Sequence, residues 1–343
     1  MMKKTIKFSL ITVLVILVVA EVFFRMYYRE ELKDQASPLI FQPDSTIAYR
    51  HIPSSEGFLS KPGIAKRHVK INTHGLYNTE VRQEKEPGTT RIAVVGASFA
   101  TGIYMDGEKN YSVQLQDLFN KTATKVEVIN FSMDGLGRGL ANLKILESDM
   151  LAYQPDLILF EMSFPLSIGA MERDVYKDYL ITYTNDSTRT IAKGMVDELE
   201  DMEMFKFFYN CSYIYRAFCR AEINDFWKSH RATLMRVYRD KIARGNEMEE
   251  HYMSTATTME LLKTAQDLAQ QHGAKLIHVS YYLEKNNLSD YFNQHGVHSL
   301  FLNLKFEPKN ISHPDSHINE SGHAMIANAL FDSLTRNNFF LEP

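Results

Sequence analysis

The stretch that decides the fold is RIAVVGASFATG, residues 91–102. Residues 91–96 form a short apolar run that ends in a glycine, and such a run predicts a strand buried inside a parallel sheet. Ser98 follows this strand directly, and YSVQLQDLF at residues 111–119 then shows the apolar spacing of an amphipathic helix. The order strand, loop, helix is the unit from which parallel sheets are built.

The same rhythm continues outward from this stretch. Further strands are predicted at residues 125–131 (KVEVINF), 156–162 (DLILFEM) and 274–282 (AKLIHVSYY). Helices are predicted at residues 139–153, 259–273 and 320–334, the last beginning after Asn319. Strands that alternate with helices indicate an α/β domain with a parallel sheet.

The rhythm stops between residues 165 and 255, where aromatic-rich and methionine-rich segments such as MEMFKFFYNCSYIYRAF (residues 202–218) favour helix. We therefore predict a main domain at residues 91–343 that carries an inserted helical cap at about residues 165–255. Residues 28–90 are rich in turn formers and are predicted to form a neck packed on this domain. Residues 1–27 are predicted to be a membrane anchor.

The anchor prediction rests on residues 8–24, FSLITVLVILVVAEVFF, an apolar run that can just cross a bilayer as a helix. A cleavable signal peptide shares the basic start and apolar middle, and Val18-Val19-Ala20 resembles a small-residue cleavage site. The run is longer than a usual signal core and continues past Ala20 without a turn-forming break. We expect a retained single-pass helix with its N-terminus inside and the main domain on the periplasmic or extracytoplasmic side.

Composition narrows the classes of function. The net charge is −4, and no stripe of lysine and arginine alternates with aromatic residues, so nucleic acid is not an expected partner. Hydrophobic content of 45% and charged content of 23% are typical of globular proteins. Cys211 and Cys219 are roughly 12 Å apart if helical, too far for a disulfide, and they form no CxxC metal motif.

Three segments carry residue types suited to nucleophilic catalysis. Ser98 stands at the carboxyl end of the first strand, where open α/β sheets bind ligands. In HPDSH, residues 313–317, Asp315 can orient His317 as an aspartate orients the base of a serine triad. NFSMDGLG, residues 130–137, is a glycine-bearing loop after the second strand whose amides could face the same cleft.

Each segment also has a plainer interpretation. Ser98 could cap a helix or make a turn, and residues 130–137 could be an ordinary strand-to-helix turn. His313, His317 and His323 could lie in solvent or share a metal through His-x3-His spacing. Pro314 interrupts the helical spacing that the metal interpretation requires.

In their order along the chain, these segments resemble the SGNH/GDSL hydrolases, whose fold is a flavodoxin-like three-layer sandwich and which hydrolyse or transfer acyl groups on esters. GASFATG (residues 96–102) is similar to the first block of the family, which implies Ser98 as the nucleophile. VINFSMDGLG (residues 128–137) is similar to the second block and implies oxyanion amides at Gly135 and Ser98. HPDSHINESGHAMIA (residues 313–327) resembles the last block and implies Asp315 and His317 as acid and base.

The resemblance extends to membrane-anchored bacterial members, through the lead-in at residues 69–96 and a Glu-x-x-x-Arg stretch, Glu21 to Arg25, at the end of the N-terminal helix. Two positions depart from the family pattern. Ala97 stands where the first block has an aspartate, and Ser163-Phe164-Pro165 supplies no asparagine where the third block donates to the oxyanion. Losing one such donor costs about 10²–10³ in turnover, unless Ser163 donates instead.

The resemblance implies a serine-dependent hydrolase or acyltransferase that acts on acyl esters, with O-acyl groups of envelope glycans or lipids as substrates. Such a mechanism uses neither a metal nor an organic cofactor. The missing asparagine and the aromatic cap leave a second hypothesis, a catalytically impaired SGNH-like module that binds a glycan or a protein at the cell envelope.

Overall fold

The computed structural model describes residues 2–27, 40–59, 67–102, 105, 107–133, 139–162, 172–176, 179–183, 186–201, 211–215, 255–281, 288–312 and 317–336. Gly135, His313, Asp315 and residues 163–165 lie outside these ranges, so the predictions made for them remain predictions.

Helices and strands follow one another through three parts of the chain. The N-terminal part contains α1 (Met2–Tyr27), β1 (Phe41–Asp44), β2 (Ala48–His51), β3 (Glu56–Leu59) and β4 (Arg67–Lys70). The middle contains β5 (Thr90–Val95), α2 (Ser98–Thr101), α3 (Tyr111–Phe119), β6 (Val126–Asn130), α4 (Gly139–Ser148), β7 (Leu157–Glu161), β8 (Glu172–Tyr176), β9 (Tyr179–Tyr183) and α5 (Asp186–Asp201). The C-terminal part contains α6 (Thr255–Gln271), β10 (Lys275–Ser280), α7 (Leu288–Gln294), β11 (Ser299–Phe301), β12 (Ile311–Ser312), β13 (His317–Ile318) and α8 (Glu320–Arg336).

A five-stranded sheet in the order β11-β10-β7-β5-β6 forms the centre of the molecule, and all of its pairings are parallel. Counted along the chain, these strands lie in the order 2-1-3-4-5, which is the flavodoxin-like order. The predicted α/β fold with a parallel sheet is therefore confirmed. The sequence did not predict β11, because three residues are too few to show a periodic pattern.

Two hydrophobic cores cover the faces of the sheet and complete the three layers. Alternate residues of β5 serve each face: Ile92 and Val94 pack with α3 and α8, while Ala93 and Val95 pack with α4 and α6. This alternation follows from the two-residue repeat of a strand, so a strand buried on both faces reads as one continuous apolar run.

Residues from the N-terminal hairpins join the core on the α4 side. Phe41, Tyr49, Val69, Ile71 and Tyr77 are buried in one cluster with residues of the sheet. The two hairpins, β1 with β2 and β3 with β4, are both antiparallel. The region predicted as a neck thus contributes directly to the hydrophobic core of the sheet.

The predicted cap begins differently from the expectation. β8 and β9 form an antiparallel hairpin that precedes α5, and β8 lies against β1 and β2. The sequences ERDVY and YLITY contain Val, Ile, Thr and Tyr, the types enriched in strands, and this local signal was outweighed by the aromatic segments that follow. The cap therefore combines a hairpin with helix in the part that the structure describes.

Within the described residues, one helical stretch is long and apolar enough to cross a membrane. It is Phe8–Met26 of α1, with a mean hydropathy of 2.3. Its large apolar side chains are exposed along the whole stretch. A signal sequence can also contain a helix this long and apolar, so these properties establish a candidate span only.

Candidate active site

Ser98 is the first residue of α2, three positions after β5 ends at the carboxyl edge of the sheet. β6 lies on one side of β5 and β7 on the other, so the strand order reverses at β5. In open α/β sheets, such a reversal leaves a crevice in which ligands bind. The half-buried Ser98 therefore stands at the position where this fold provides a ligand site.

The turn between β5 and α2 is tightly packed at Gly96. A Cβ atom at this position would lie 2.6 Å from Ala100 Cβ and 2.6 Å from Glu161 Oε2. Real Cβ atoms are not found at such distances, and both neighbours are held in secondary structure. Glycine is therefore required here by close approach, and this approach fixes the direction in which the chain enters α2.

Glu161 is the last residue of β7 and is only 5% exposed. Its Oε2 atom accepts the N–H of Ala97, the residue before Ser98, at 3.3 Å. Burial is the main cause that raises the pKa of the Tyr111 phenol, and the negative charge of Glu161 raises it further. Glu161 was not predicted from the sequence, although an acidic residue at the end of a buried strand is a signal that could have identified it.

Two buried asparagines hold the other end of α2. Asn130, at the end of β6, donates from Nδ2 to Ala100 O at 2.8 Å, and Asn110 donates from Nδ2 to Thr101 O at 3.3 Å. Asn110 also caps α3, because its Oδ1 accepts the N–H groups of the first turn. The helix that begins with Ser98 is thus bonded to neighbouring segments at both ends.

His317 begins β13 and is paired with Ser312 of β12 in a two-residue antiparallel ladder. Its ring meets the ring of Phe99 edge to face, with centroids 5.2 Å apart. Because Phe99 is the residue directly after Ser98, this contact brings the first and last predicted catalytic segments to the same edge of the sheet.

The start of α8 fixes the chain immediately after His317. Asn319 accepts the N–H groups of Ser321 and Gly322 at its Oδ1, at 3.0 and 3.3 Å, as an N-cap does. Ile318 is buried and lies so close to Gly322 that a Cβ there would be 2.3 Å from Ile318 Cγ2. The helix predicted to begin after Asn319 is present at that residue.

His323 belongs to α8 and is buried between α8 and α3, with 1% of the residue exposed. Its Nδ1 accepts the Tyr111 N–H at 3.1 Å, and the two rings are stacked with centroids 5.7 Å apart. Burial chiefly, with the nearby His317 also contributing, lowers the pKa of His323 to about 3. The imidazole is therefore neutral and carries its proton on Nε2.

The structure thus places the His317 ring against Phe99, the residue after Ser98, while Asp315 and Gly135 lie outside the described residues. The metal interpretation also involved His313, which lies outside them as well. In the part of the chain that is described, no group of three or more His, Cys, Asp or Glu side chains is arranged to hold a metal ion. The bond from Tyr111 already occupies Nδ1 of His323.

No protein-family model and no curated protein matches the sequence. Solved structures do match the fold. TesA is 12% identical at a TM-score of 0.39, with 72% of this chain and 99% of that chain covered. The psychrotrophic esterase EstA from Pseudoalteromonas sp. is 14% identical at a TM-score of 0.39, with 73% and 100% covered.

A lipolytic protein of the G-D-S-L family from Desulfitobacterium hafniense is 10% identical at a TM-score of 0.36, with 71% of this chain and 98% of that chain covered. The family that the sequence motifs resemble is therefore represented among the similar structures. At these identities and TM-scores, the likeness carries no argument about what this chain does. The activity has to be argued from the residues at the edge of the sheet.

Proposed function

We propose that this chain is an SGNH-type serine hydrolase or acyltransferase that acts on acyl esters. The observation that carries the proposal is the contact between the Ser98 turn and His317, made through Phe99 at the carboxyl edge of the sheet. A hydroxyl and an imidazole from opposite ends of the chain are the parts that serine-based acyl transfer needs close together.

In the proposed reaction, Ser98 Oγ attacks the carbonyl carbon of the ester while His317 takes the hydroxyl proton. The N–H groups of Ser98 and Gly135 hold the negative charge that develops on the carbonyl oxygen. The tetrahedral intermediate then expels the alcohol, which receives the proton from His317, and leaves the acyl group on Ser98. Asp315 orients His317 and stabilises its charged form.

The acyl group leaves Ser98 in a second half-reaction of the same kind. Water attacks in a hydrolase and another alcohol attacks in a transferase, and His317 removes the proton of either nucleophile. The free acid or the new ester is released, and the proton returns to Ser98 Oγ. Each proton and each leaving group in this reaction is accounted for by the ester, the attacking alcohol or water, Ser98 and His317, so the proposed steps use no metal or organic cofactor.

A cavity of about 540 Å³ is lined by residues of β4, of the segment that follows it, and of residues 107–109. Tyr77, in its wall, donates to Met105 O at 2.6 Å, and the Met105 N–H donates to Gly102 O, at the end of α2, at 3.1 Å. Most of the residues in its wall are polar, including His68, Lys70, Asn78, Glu80 and Lys109. Such a lining suits the hydroxyl groups of a glycan better than a lipid chain, so we propose O-acyl groups of envelope glycans as the substrate class.

We further propose that α1 is retained as the anchor and that the domain with Ser98 is extracytoplasmic. Lys3, Lys4 and Lys7 precede the apolar stretch and Arg25, Arg29 and Lys33 follow it, so the basic residues that favour the cytoplasmic side nearly balance. The proposal therefore rests on the resemblance of residues 69–96 to membrane-anchored members of the family.

A fluorophosphonate probe on the folded full-length protein tests the proposed nucleophile. We expect covalent labelling of wild type, no labelling of Ser98→Ala, and labelling of His317→Ala slowed by at least about 10³-fold. Ser187→Ala, which removes an exposed hydroxyl in α5, is the matched control and should label like wild type. Labelling that persists in Ser98→Ala would contradict the proposal. A folded protein that takes no label would favour the envelope-binding module instead.

A further inference from the structure

The end of α1 makes polar contacts with a segment far along the chain. The Glu21 carboxylate accepts hydrogen bonds from Ser212 Oγ at 3.0 Å, from the Tyr213 N–H at 2.9 Å and from the Ile214 N–H at 3.0 Å. Arg25 Nε donates to the same carboxylate at 2.8 Å. Glu21 therefore has four donors, three of them from residues 211–215.

Arg25 makes a second set of contacts to the same segment. Its Nη2 donates to Cys211 O at 2.7 Å, and its guanidinium lies over the Tyr213 ring, 4.9 Å from the centroid. An arginine over an aromatic face is attracted to the ring electrons. Glu21 and Arg25 thus bind residues 211–215 together, through carboxylate, guanidinium and ring.

The position of these charges on α1 relates the contact to the lipid. Phe8–Met26 spans 19 residues, which is close to the length that just crosses a hydrocarbon core. Glu21 lies about 7–8 Å before the end of this stretch at the helical rise. Val18, Val22 and Phe23 beside it are 49–55% exposed. A carboxylate among lipid-facing side chains is costly unless it has partners, and residues 211–215 supply them.

We infer that residues 211–215 lie at headgroup depth in the leaflet where α1 ends, docked on the helix through Glu21 and Arg25. The surface partner is the lipid headgroup layer, in which tyrosines such as Tyr213 and Tyr215 are favoured. α1 is then a structural part of the mature protein, which holds residues 211–215 at this depth in the membrane.

The test uses the full chain in phosphatidylcholine nanodiscs. Cys219→Ser leaves the exposed Cys211 as the single cysteine, which is labelled with an environment-sensitive fluorophore. Nanodiscs then carry a nitroxide either on the lipid headgroup or deep on the acyl chain. We expect strong quenching of the label by the headgroup nitroxide and weaker quenching by the deep one.

Glu21→Ala in the labelled protein tests whether Glu21 holds residues 211–215 against α1. Because the charge-assisted hydrogen bonds are lost, the ratio of docked to undocked segment should fall about ten-fold or more, and quenching should fall with it. Glu260→Ala, which removes an exposed carboxylate of α6, should leave quenching unchanged. Circular dichroism checks that Glu21→Ala is folded.

Two results would overturn the inference. The first is that neither nitroxide quenches the label on Cys211 when Glu21 is unchanged. This result does not depend on the folding of the Glu21→Ala variant. The other is a folded Glu21→Ala protein with the quenching of wild type.

Discussion

Gly96 lies where the side chain of Glu161 and the Cβ of Ala100 leave no room for another atom. Gly96→Ala would force β5, β7 or α2 to shift, because its Cβ would lie 2.6 Å from both neighbours. We expect the free energy of unfolding to fall by about 1–3 kcal/mol, as in other overpacked sites. Urea denaturation of the domain measures this change.

Gly194 in α5 is the matched control, since a Cβ there has nothing within 4 Å. Gly194→Ala should raise the free energy of unfolding by about 0.5–1 kcal/mol, because alanine favours helix and restricts the unfolded chain. Equal effects of the two substitutions would mean that the close packing at Gly96 is not what limits this position.

Two buried histidines form hydrogen bonds between neighbouring elements of the fold. The protonation of these histidines makes the free energy of unfolding depend on pH. His323 joins α3 to α8, and His278 in β10 lies 2.7 Å from Ser299 Oγ and donates to Met162 O at 3.1 Å. Burial is the main cause that lowers the pKa of His278 to about 4 and that of His323 to about 3. Both rings are neutral in the folded protein over the pH range in which they would be charged in the unfolded chain.

The unfolded chain therefore binds more protons than the folded protein below a pH of about 6.5. The free energy of unfolding should fall as the pH is lowered from there toward 4, by up to about 1.4 kcal/mol per pH unit for each histidine. His323→Asn can still accept the Tyr111 N–H but cannot titrate. Urea denaturation at pH 7, 6, 5 and 4.5 should show a shallower decline for this variant, and an unchanged slope would contradict the interpretation.

At the scale of the whole molecule, Arg91 at the start of β5 joins the segment before β5 to β6 and to the segment before β7. Its side chain is 1% exposed. Nε donates to Glu127 at 2.7 Å, Nη1 to Gln83 O at 2.7 Å and to Tyr153 O, and Nη2 to Arg82 O at 2.9 Å. These acceptors belong to three separate parts of the chain, so one guanidinium holds them together.

Arg91→Ala should lower the free energy of unfolding by about 3–5 kcal/mol, because it leaves the half-buried Glu127 carboxylate and several carbonyl groups without their donor and removes a fully buried side chain. Arg91→Lys keeps the charge but has fewer donors and no planar fork, so its effect should be intermediate. Urea denaturation gives both values. A loss below about 1 kcal/mol in Arg91→Ala would show that water replaces the guanidinium at this site.

Local patterns in the sequence were enough to determine the main strands, the helices that alternate with them and the parallel sheet. The apolar runs around Ile92, Ile129 and Leu159 predict buried strands because both faces of each strand are covered, and Asn319 predicts the start of α8 because it caps the first turn. Both signals lie within a few consecutive residues, so they can be read without knowing the rest of the fold.

Only the tertiary structure decided which distant residues meet. Three contacts join segments that are far apart in the chain. They are the bond from Ala97 to the Glu161 carboxylate, the bond from Tyr111 to the neutral His323, and the bonds from residues 211–215 to Glu21. The meeting of Phe99 with His317 is of the same kind. Periodicity records which face of an element is buried, but the partner of a buried polar group is set by how the elements pack, and that packing is a property of the whole chain.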